Sequence, residues 1–194
     1  MWTLDGLVGT ETLDEIMNVY YNRWKFRHPN GNNFIEIVNE IVTKRHGDKF
    51  GENMNWFFDQ VLKSTTICDY AIMGIKNNKN EEEKETDLKN NYNTEFTVNR
   101  IEDMVLPVEI LVQFENGETL IEYWDGISQT KTYTYQNTSK IISVQLDPNK
   151  KLMLDVDSTN DSMTIRPSNV PTNLFLNKFM NWMQTLMQVM LVLA

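Results

Sequence analysis

From Val105 to Asp147 the chain reads VLPVEILVQFENGETLIEYWDGISQTKTYTYQNTSKIISVQLD. Val108, Ile110, Val112 and Phe114 alternate with Glu109, Leu111, Gln113 and Glu115, so four apolar side chains share one face of an extended segment. Asn116-Gly117 follows, a dipeptide suited to the positive backbone angles of a tight hairpin turn, and Ile121 and Tyr123 resume the alternation on a returning strand. A second turn falls at Trp124-Asp125-Gly126. Thr130 to Tyr135 forms a third β-rich run, and Ile142, Val144 and Leu146 lead a fourth into the turn Asp147-Pro148-Asn149. The centre of the chain is an antiparallel sheet.

Upstream, the side-chain period is helical. Thr10 or Thr12 is positioned as an N-cap, with Glu15 three residues after Thr12 as a capping box requires. Leu13, Ile16, Met17, Tyr20 and Trp24 then recur at helical spacing, predicting a helix from Thr12 to His28 that ends at Pro29 and Asn30-Gly31. A second helix starts near Asn32 or Asn33, carries Phe34, Ile37, Val38 and Ile41 on one stripe, and stops before Gly47. A third starts near Asn55. Its Trp56, Phe57, Phe58, Val61 and Leu62 are too many large apolar groups for an exposed helix, so it is wedged between neighbours.

Two further strands flank the central sheet on its N-terminal side, Ile67 to Ile75, with Tyr70, Ile72 and Gly74 on one face, and Thr94 to Ile101 with Phe96 and Val98 in step. Between them Asn77 to Asn91, NNKNEEEKETDLKNN, has almost no apolar content and reads as a solvated hairpin insertion. Leu152, Leu154 and Val156 form a late strand before the polar turn Ser158 to Ser162. The expected fold class is α+β: an N-terminal three-helix segment over 1–65, an antiparallel immunoglobulin-like β-sandwich of about seven strands over 66–166, and a C-terminal amphipathic helix over 172–194.

That last helix spans Leu174 to Ala194. Asn177, Asn181, Gln184 and Gln188 fall three or four apart and line one face, leaving a broad apolar stripe opposite. Three settings suit it: packing against protein, which the amide row favours; a membrane surface or span; and a helix cut from a longer chain. The apolar end Val189 to Ala194 calls for a cover, and pairing between copies through this helix would make a homo-oligomer.

Composition narrows the function classes. With 194 residues, 41% apolar, the chain can build one ordinary domain or two small ones. A formal charge of −9 argues against nucleic acid, whose phosphates need clustered Lys and Arg. The single cysteine, Cys68, allows no internal disulfide and reads as a small buried hydrophobe. The N-terminus lacks the basic, apolar and small-residue order of a signal peptide, so Met1 is expected to be a cytosolic start or the edge of a fragment; the compartment stays open.

Catalytic constellations are not found. His28 and His46, the two histidines, read as a helix end and a loop residue, and there is no His-Glu-x-x-His pair to hold zinc. Asp14-Glu15 and Glu81 to Glu83 fall on a helix start and in the solvated insertion, where they serve the helix dipole or solubility. No nucleophile elbow, phosphate loop or dinucleotide fingerprint occurs. Trp56 and Trp124 could stack on sugars, but a Trp on an aromatic helix or at a β-turn is more often core or corner. No catalytic, metal or cofactor-binding residue is assigned.

The order of the motifs carries a resemblance. LDGLVGTETLDEIMNVYYNRWKFRHPNGNNFIEIVNEI, followed by NMNWFFDQVL, resembles the late helices of the catalytic domain in gluzincin zinc metallopeptidases similar to aminopeptidase N. Tyr21, Trp24, Phe26, His28, Pro29, Phe34, Trp56, Phe57, Phe58 and Gln60 match that pattern in order. Pro107, Val108, Asn116-Gly117, Trp124-Asp125-Gly126, Val144 and Leu146-Asp147-Pro148 resemble the β-sandwich that follows in such enzymes. The resemblance covers residues 4 to 157; Val61 stands where a second Trp is usual, Asn33 where an acidic cap is usual, and Thr43 to Asn53 is longer than the pattern. It implies that the zinc helix, the more distant glutamate ligand and the intermediate-stabilising tyrosine lie upstream of Met1. Zinc would belong to the parent enzyme, with no cofactor in this chain. The chain would be its non-catalytic C-terminal region, walling the peptide-binding cavity, with the rest of the peptidase as partner and a peptide as substrate. The other reading is a free-standing protein- or glycan-binding β-sandwich, for which exposed Trp124, Tyr133 and Tyr135 would speak.

Overall fold

The computed structural model describes residues 1–79, 92–165 and 170–193. Its fold is α+β, and its described residues fall into two compact units, Met1–Met163 and Thr164–Ala194.

The first unit opens with four helices: α1 (Trp2–Val8), α2 (Thr10–Trp24), α3 (Gly31–His46) and α4 (Asn55–Lys63). Helix α1 precedes the three expected, and its sequence hides it because Gly6 sits inside it. A Cβ at Gly6 would lie 2.5 Å from the Lys151 Cβ and 2.7 Å from the Lys151 carbonyl oxygen, so close backbone approach excludes a better helix former. Because α1 runs directly into α2, the N-cap of α2 is Gly9 and neither expected threonine caps it. Thr12 is instead buried, with its Oγ1 2.9 Å from His46 Nε2, and Glu15 pairs with Lys44 and Arg45 on α3. Helix α2 ends at Trp24, before His28, because Phe26 turns left-handed at φ 63°. Asn30 caps α3 in a reciprocal capping box with Asn33, and Gly47 closes that helix as expected.

Among the described residues seven strands follow: β1 (Tyr70–Lys79), β2 (Tyr92–Arg100), β3 (Val108–Phe114), β4 (Thr119–Trp124), β5 (Thr130–Asn137), β6 (Ile141–Leu146) and β7 (Ser162–Thr164). They form two sheets, ordered β1-β2-β5 and β4-β3-β6-β7. Val108, Ile110, Val112 and Phe114 all point inward, as their alternation requires. The sheets meet through ring contacts: Tyr70 stands edge-on to Trp124 at 5.3 Å between centroids, and Phe114 edge-on to Tyr135 at 6.2 Å. The buried residues of helices and sheets make one apolar core.

Several strand details differ from expectation. A bulge between Ile72 and Gly74 re-phases β1, so Ile75 rather than Gly74 pairs with Phe96. A second bulge, opposite Gln113 and Phe114, puts Ile141 inside in place of Ile142. On β4, Ile121 and Tyr123 face outward. Asn77 to Lys79 are strand, paired with Tyr92 to Thr94; residues 80–91 of the expected insertion, including Glu81 to Glu83, lie outside the described residues. Asn77 gives its place away chemically, since its amide donates to the Ile141 carbonyl (3.0 Å) and accepts from the Ile141 N–H (2.9 Å), tying β1 to β6.

The expected strand at Leu152 to Val156 is a loop. Asp147 accepts the Lys151 and Leu152 N–H groups, Lys150 is left-handed at φ 51°, and Met153 and Val156 are exposed. The seventh strand lies later, starting at Ser162, where a turn was expected.

The second unit holds α5 (Val170–Leu193). Among the described residues no helix is long and apolar enough to cross a membrane.

Candidate functional site

Helix α4 meets the sandwich along a seam. Gln60, on α4, donates from Nε2 to the Val105 carbonyl (3.1 Å) and accepts the Val105 N–H on Oε1 (2.7 Å), so its amide replaces a missing backbone partner for the segment leading into β3. Four residues earlier Trp56 donates its indole N–H to the Phe50 carbonyl at 3.0 Å, fixing the loop between α3 and α4. Tyr70 closes the other side. Its hydroxyl accepts the Leu106 N–H at 2.8 Å and lies 2.9 Å from the Leu106 carbonyl and 3.2 Å from that of Met104, holding the chain just before β3.

The Trp124-Asp125-Gly126 corner completes the frame. Gly126 has φ +73°, and a Cβ there would meet both the Leu106 carbonyl oxygen and the Tyr70 hydroxyl at 2.7 Å. Asp125 accepts the Ile127 N–H at 3.0 Å, an Asx turn that presents Ile127 to solvent, 71% exposed. Arg100 pins the corner by donating from Nε to the Gly126 carbonyl (3.0 Å).

Between these elements lies an open concavity of about 580 Å³, lined by Phe50, Trp56, Gln60, Val105, Pro107 and Ile127, with Lys49 and Asp125 at its polar positions. Its volume is that of an ordinary small-ligand or side-chain site. Its walls offer apolar area and two opposite charges but no nucleophile and no base beside one, so the arrangement suits binding or shaping rather than bond-breaking.

A second concavity, about 380 Å³, is acidic, with Asp147, Asp155 and Asp161 in its lining beside Lys150. Two of these carboxylates are occupied: Asp147 by the Lys151 and Leu152 N–H groups, Asp155 by those of Tyr70 and Asp157. Burial pushes Asp161 up to about 7, helped by the charges of Asp155 and Asp147, and burial likewise raises Asp155. Asp147 and Asp155 thus staple loops, and Lys150, Ser158 and Ser162 share the lining with the three carboxylates.

The residues singled out in the sequence are scattered. His28 is exposed beyond the end of α2; His46 is the last residue of α3, not a loop residue, and is engaged with Thr12. Cys68 is buried, its thiol pushed up to about 12 chiefly by burial. Asp14 is exposed. Trp124 is 1% exposed and unavailable for stacking, and Tyr133 is buried with it, while Trp56 is half-buried on the concavity wall. Among the described residues no group of three His, Cys, Asp or Glu is placed to hold a metal ion. Phe50 and Ile127 escaped the sequence reading, because a lone loop aromatic and a lone isoleucine after a turn carry no periodic signal.

No protein-family model matches the chain, and no curated protein matches it. The aminopeptidase resemblance therefore rests on the residues and their order alone.

Proposed function

We propose that this chain is the non-catalytic C-terminal region of a zinc aminopeptidase-like protein, its helices forming part of the wall of the peptide cavity and its sandwich bracing that wall. The observation that carries this reading is how the motif residues divide. Trp56, Gln60, Pro107 and Asp125 line the seam concavity, Trp124 and Gly126 flank Asp125, and Phe57 and Phe58 are buried in the core, whereas Tyr21 is 65% and Phe26 100% exposed. Met17, one turn before Tyr21 on the same face of α2, is also exposed. A fully exposed phenylalanine held in a left-handed conformation gains nothing from this unit alone, which favours a further protein surface lying over it.

The role is one of shape. Zinc would activate water and polarise the scissile carbonyl in the upstream part, and the seam concavity would contact an apolar portion of the peptide. The test is an aminoacyl-anilide assay on the intact protein expressed from its native locus. Chelator-sensitive turnover there, with none from residues 1–194 alone, supports the reading; turnover by the 194-residue chain itself overturns it.

A free-standing binding module is the second reading. The outward-facing Ile121 and Tyr123 on β4, 50% and 68% exposed, favour it, although the aromatic cluster it first suggested is interior. Met17 and Tyr21 on α2 and Phe26 beyond its end expose three large apolar side chains against that pair, so the peptidase reading is preferred.

A further inference from the structure

The seam concavity carries two charges that its apolar walls leave unmatched. Trp56, Phe50, Pro107 and Ile127 supply the wall, and Lys49 and Asp125 share the same lining. Lys49 Nζ lies 5.2 Å over the Phe50 ring and forms no ion pair among the described residues; Glu109, a carboxylate beside it, is taken by Lys151 at 2.6 Å. Asp125 accepts the Ile127 N–H at 3.0 Å through one oxygen, and its other oxygen has no hydrogen bond among the described residues. The two charges stand apart. A smaller hollow of about 110 Å³ adjoins the seam and shares Lys49, Phe50 and Pro107 with it, whereas Asp125 and Ile127 line the larger one alone. Lys49 therefore marks the end where the hollows meet, and Asp125 lies away from it. The frame is held in advance: the Phe50 carbonyl fixes the Trp56 indole at 3.0 Å, and Arg100 and the close packing at Gly126 fix the Asp125 corner.

We infer that the seam concavity binds a short apolar peptide with both ends free, its carboxylate at Lys49, its ammonium at Asp125 and its side chains against Trp56, Phe50 and Ile127. A neutral apolar occupant would strip water from both charges and return no partner to either. An interior stretch of a longer peptide brings neither end charge, and a nucleotide would meet a single cation and no phosphate cradle. A space of about 580 Å³ falls in the range that takes a drug-sized ligand, which a di- or tripeptide is and a single amino acid is not. On the proposed peptidase reading this ligand is the shortened peptide left after an N-terminal residue has gone; that assignment rests on the reading, whereas the binding does not.

The test follows the Trp56 indole N–H resonance of the isotope-labelled 194-residue chain, assigned by its loss in Trp56→Phe, during titration with leucyl-phenylalanine, its N-acetyl derivative and its C-terminal amide. The free dipeptide is expected to give a saturable shift, and each singly blocked form to bind roughly threefold or more weakly, the scale of a partly exposed charge pair. K49M should bind the free dipeptide and its amide alike while still rejecting the N-acetyl form. D125N keeps an acceptor for the Ile127 N–H and should do the reverse, with thermal unfolding showing that both variants are folded. Binding of this kind is overturned if the free dipeptide gives no saturable shift at millimolar concentration, if the doubly blocked dipeptide binds as tightly as the free one, or if either variant discriminates as the parent does. Peptidase activity of the intact protein with no shift here removes this site alone; a shift here with an inactive intact protein removes the peptidase reading alone.

Discussion

Gln60 and Val105 are joined by two hydrogen bonds, 3.1 Å from Nε2 to the Val105 carbonyl and 2.7 Å from the Val105 N–H to Oε1. The pair has the geometry of a β-bridge in which a side-chain amide stands in for the neighbouring strand. It fixes α4 against the entry to β3 and so sets the shape of the seam concavity.

Replacing Gln60 with Ala leaves both Val105 groups without protein partners at a part-buried position. The expected cost is about 1–3 kcal/mol, read as a lower urea midpoint with an unchanged denaturant slope. Gln60→Glu separates donor from acceptor. It keeps the bond from the Val105 N–H but sets a carboxylate against the Val105 carbonyl. It should therefore be at least as destabilising at pH 7 and recover as pH falls and the glutamate regains a proton. A Q60E variant as stable as the parent at pH 7 would show that the bridge is not structural.

Two glycines with similar backbone angles separate strain from crowding. Gly117 has φ +88° with open space around it, whereas Gly126 has φ +73° and 2.7 Å approaches to Tyr70 and Leu106. Gly117→Ala should cost only the left-handed strain, about 1–2 kcal/mol. Gly126→Ala adds overpacking and should cost several times as much. Equal effects in thermal unfolding would contradict the corner geometry.

Asp161 makes stability depend on pH in an unusual direction. Its folded value, about 7, stands above the ordinary 3.8, so the folded state keeps a proton that the unfolded chain releases. Its contribution is fully present below 3.8 and is lost as pH rises toward 7. Asp161→Asn should match the parent at low pH and exceed it in unfolding temperature at pH 8, most clearly in the difference between the two profiles. Solvent screening at this half-buried site keeps the gain modest. A parallel pair of profiles would remove Asp161 from the account.

Cys68 is 1% exposed, and its thiol is pushed up to about 12 by burial first and then by the charge of Asp155. At pH 8 the folded protein should react with a thiol-specific disulfide reagent far more slowly than the urea-unfolded chain. Fast labelling of folded protein would mean that Cys68 is accessible and reactive.

The alternating run of β3 was legible because one face of that strand is wholly interior and every side chain declares its side. The stripes of α3 and α4 were legible for the same reason. What escaped notice depended on partners distant in sequence. Gly6 disguised α1, since the reason for a glycine there is the Lys151 backbone. Asn77 looked like loop, since its amide is matched by Ile141 on another sheet. Leu152 to Val156 looked like strand, because the Asp147 carboxylate that holds the loop acts through backbone N–H groups that have no sequence signature. Thr12 and Glu15 had the spacing of a capping box, but α1 moved the cap to Gly9 and freed both for α3. The seam followed the same logic: Gln60 stood in a recognisable motif, while its partner Val105 is an ordinary valine.

The central claim is that this chain shapes a peptidase cavity and performs none of its chemistry. The most direct measurement is aminoacyl-anilide hydrolysis, with and without a zinc chelator, by the intact protein from its native locus and by residues 1–194 alone. The account predicts chelator-sensitive turnover from the intact protein, raised KM with little change in kcat for Trp56→Ala in that protein, and no turnover from the 194-residue chain. Robust hydrolysis by the isolated chain, or an intact protein with no peptidase activity at all, would contradict it.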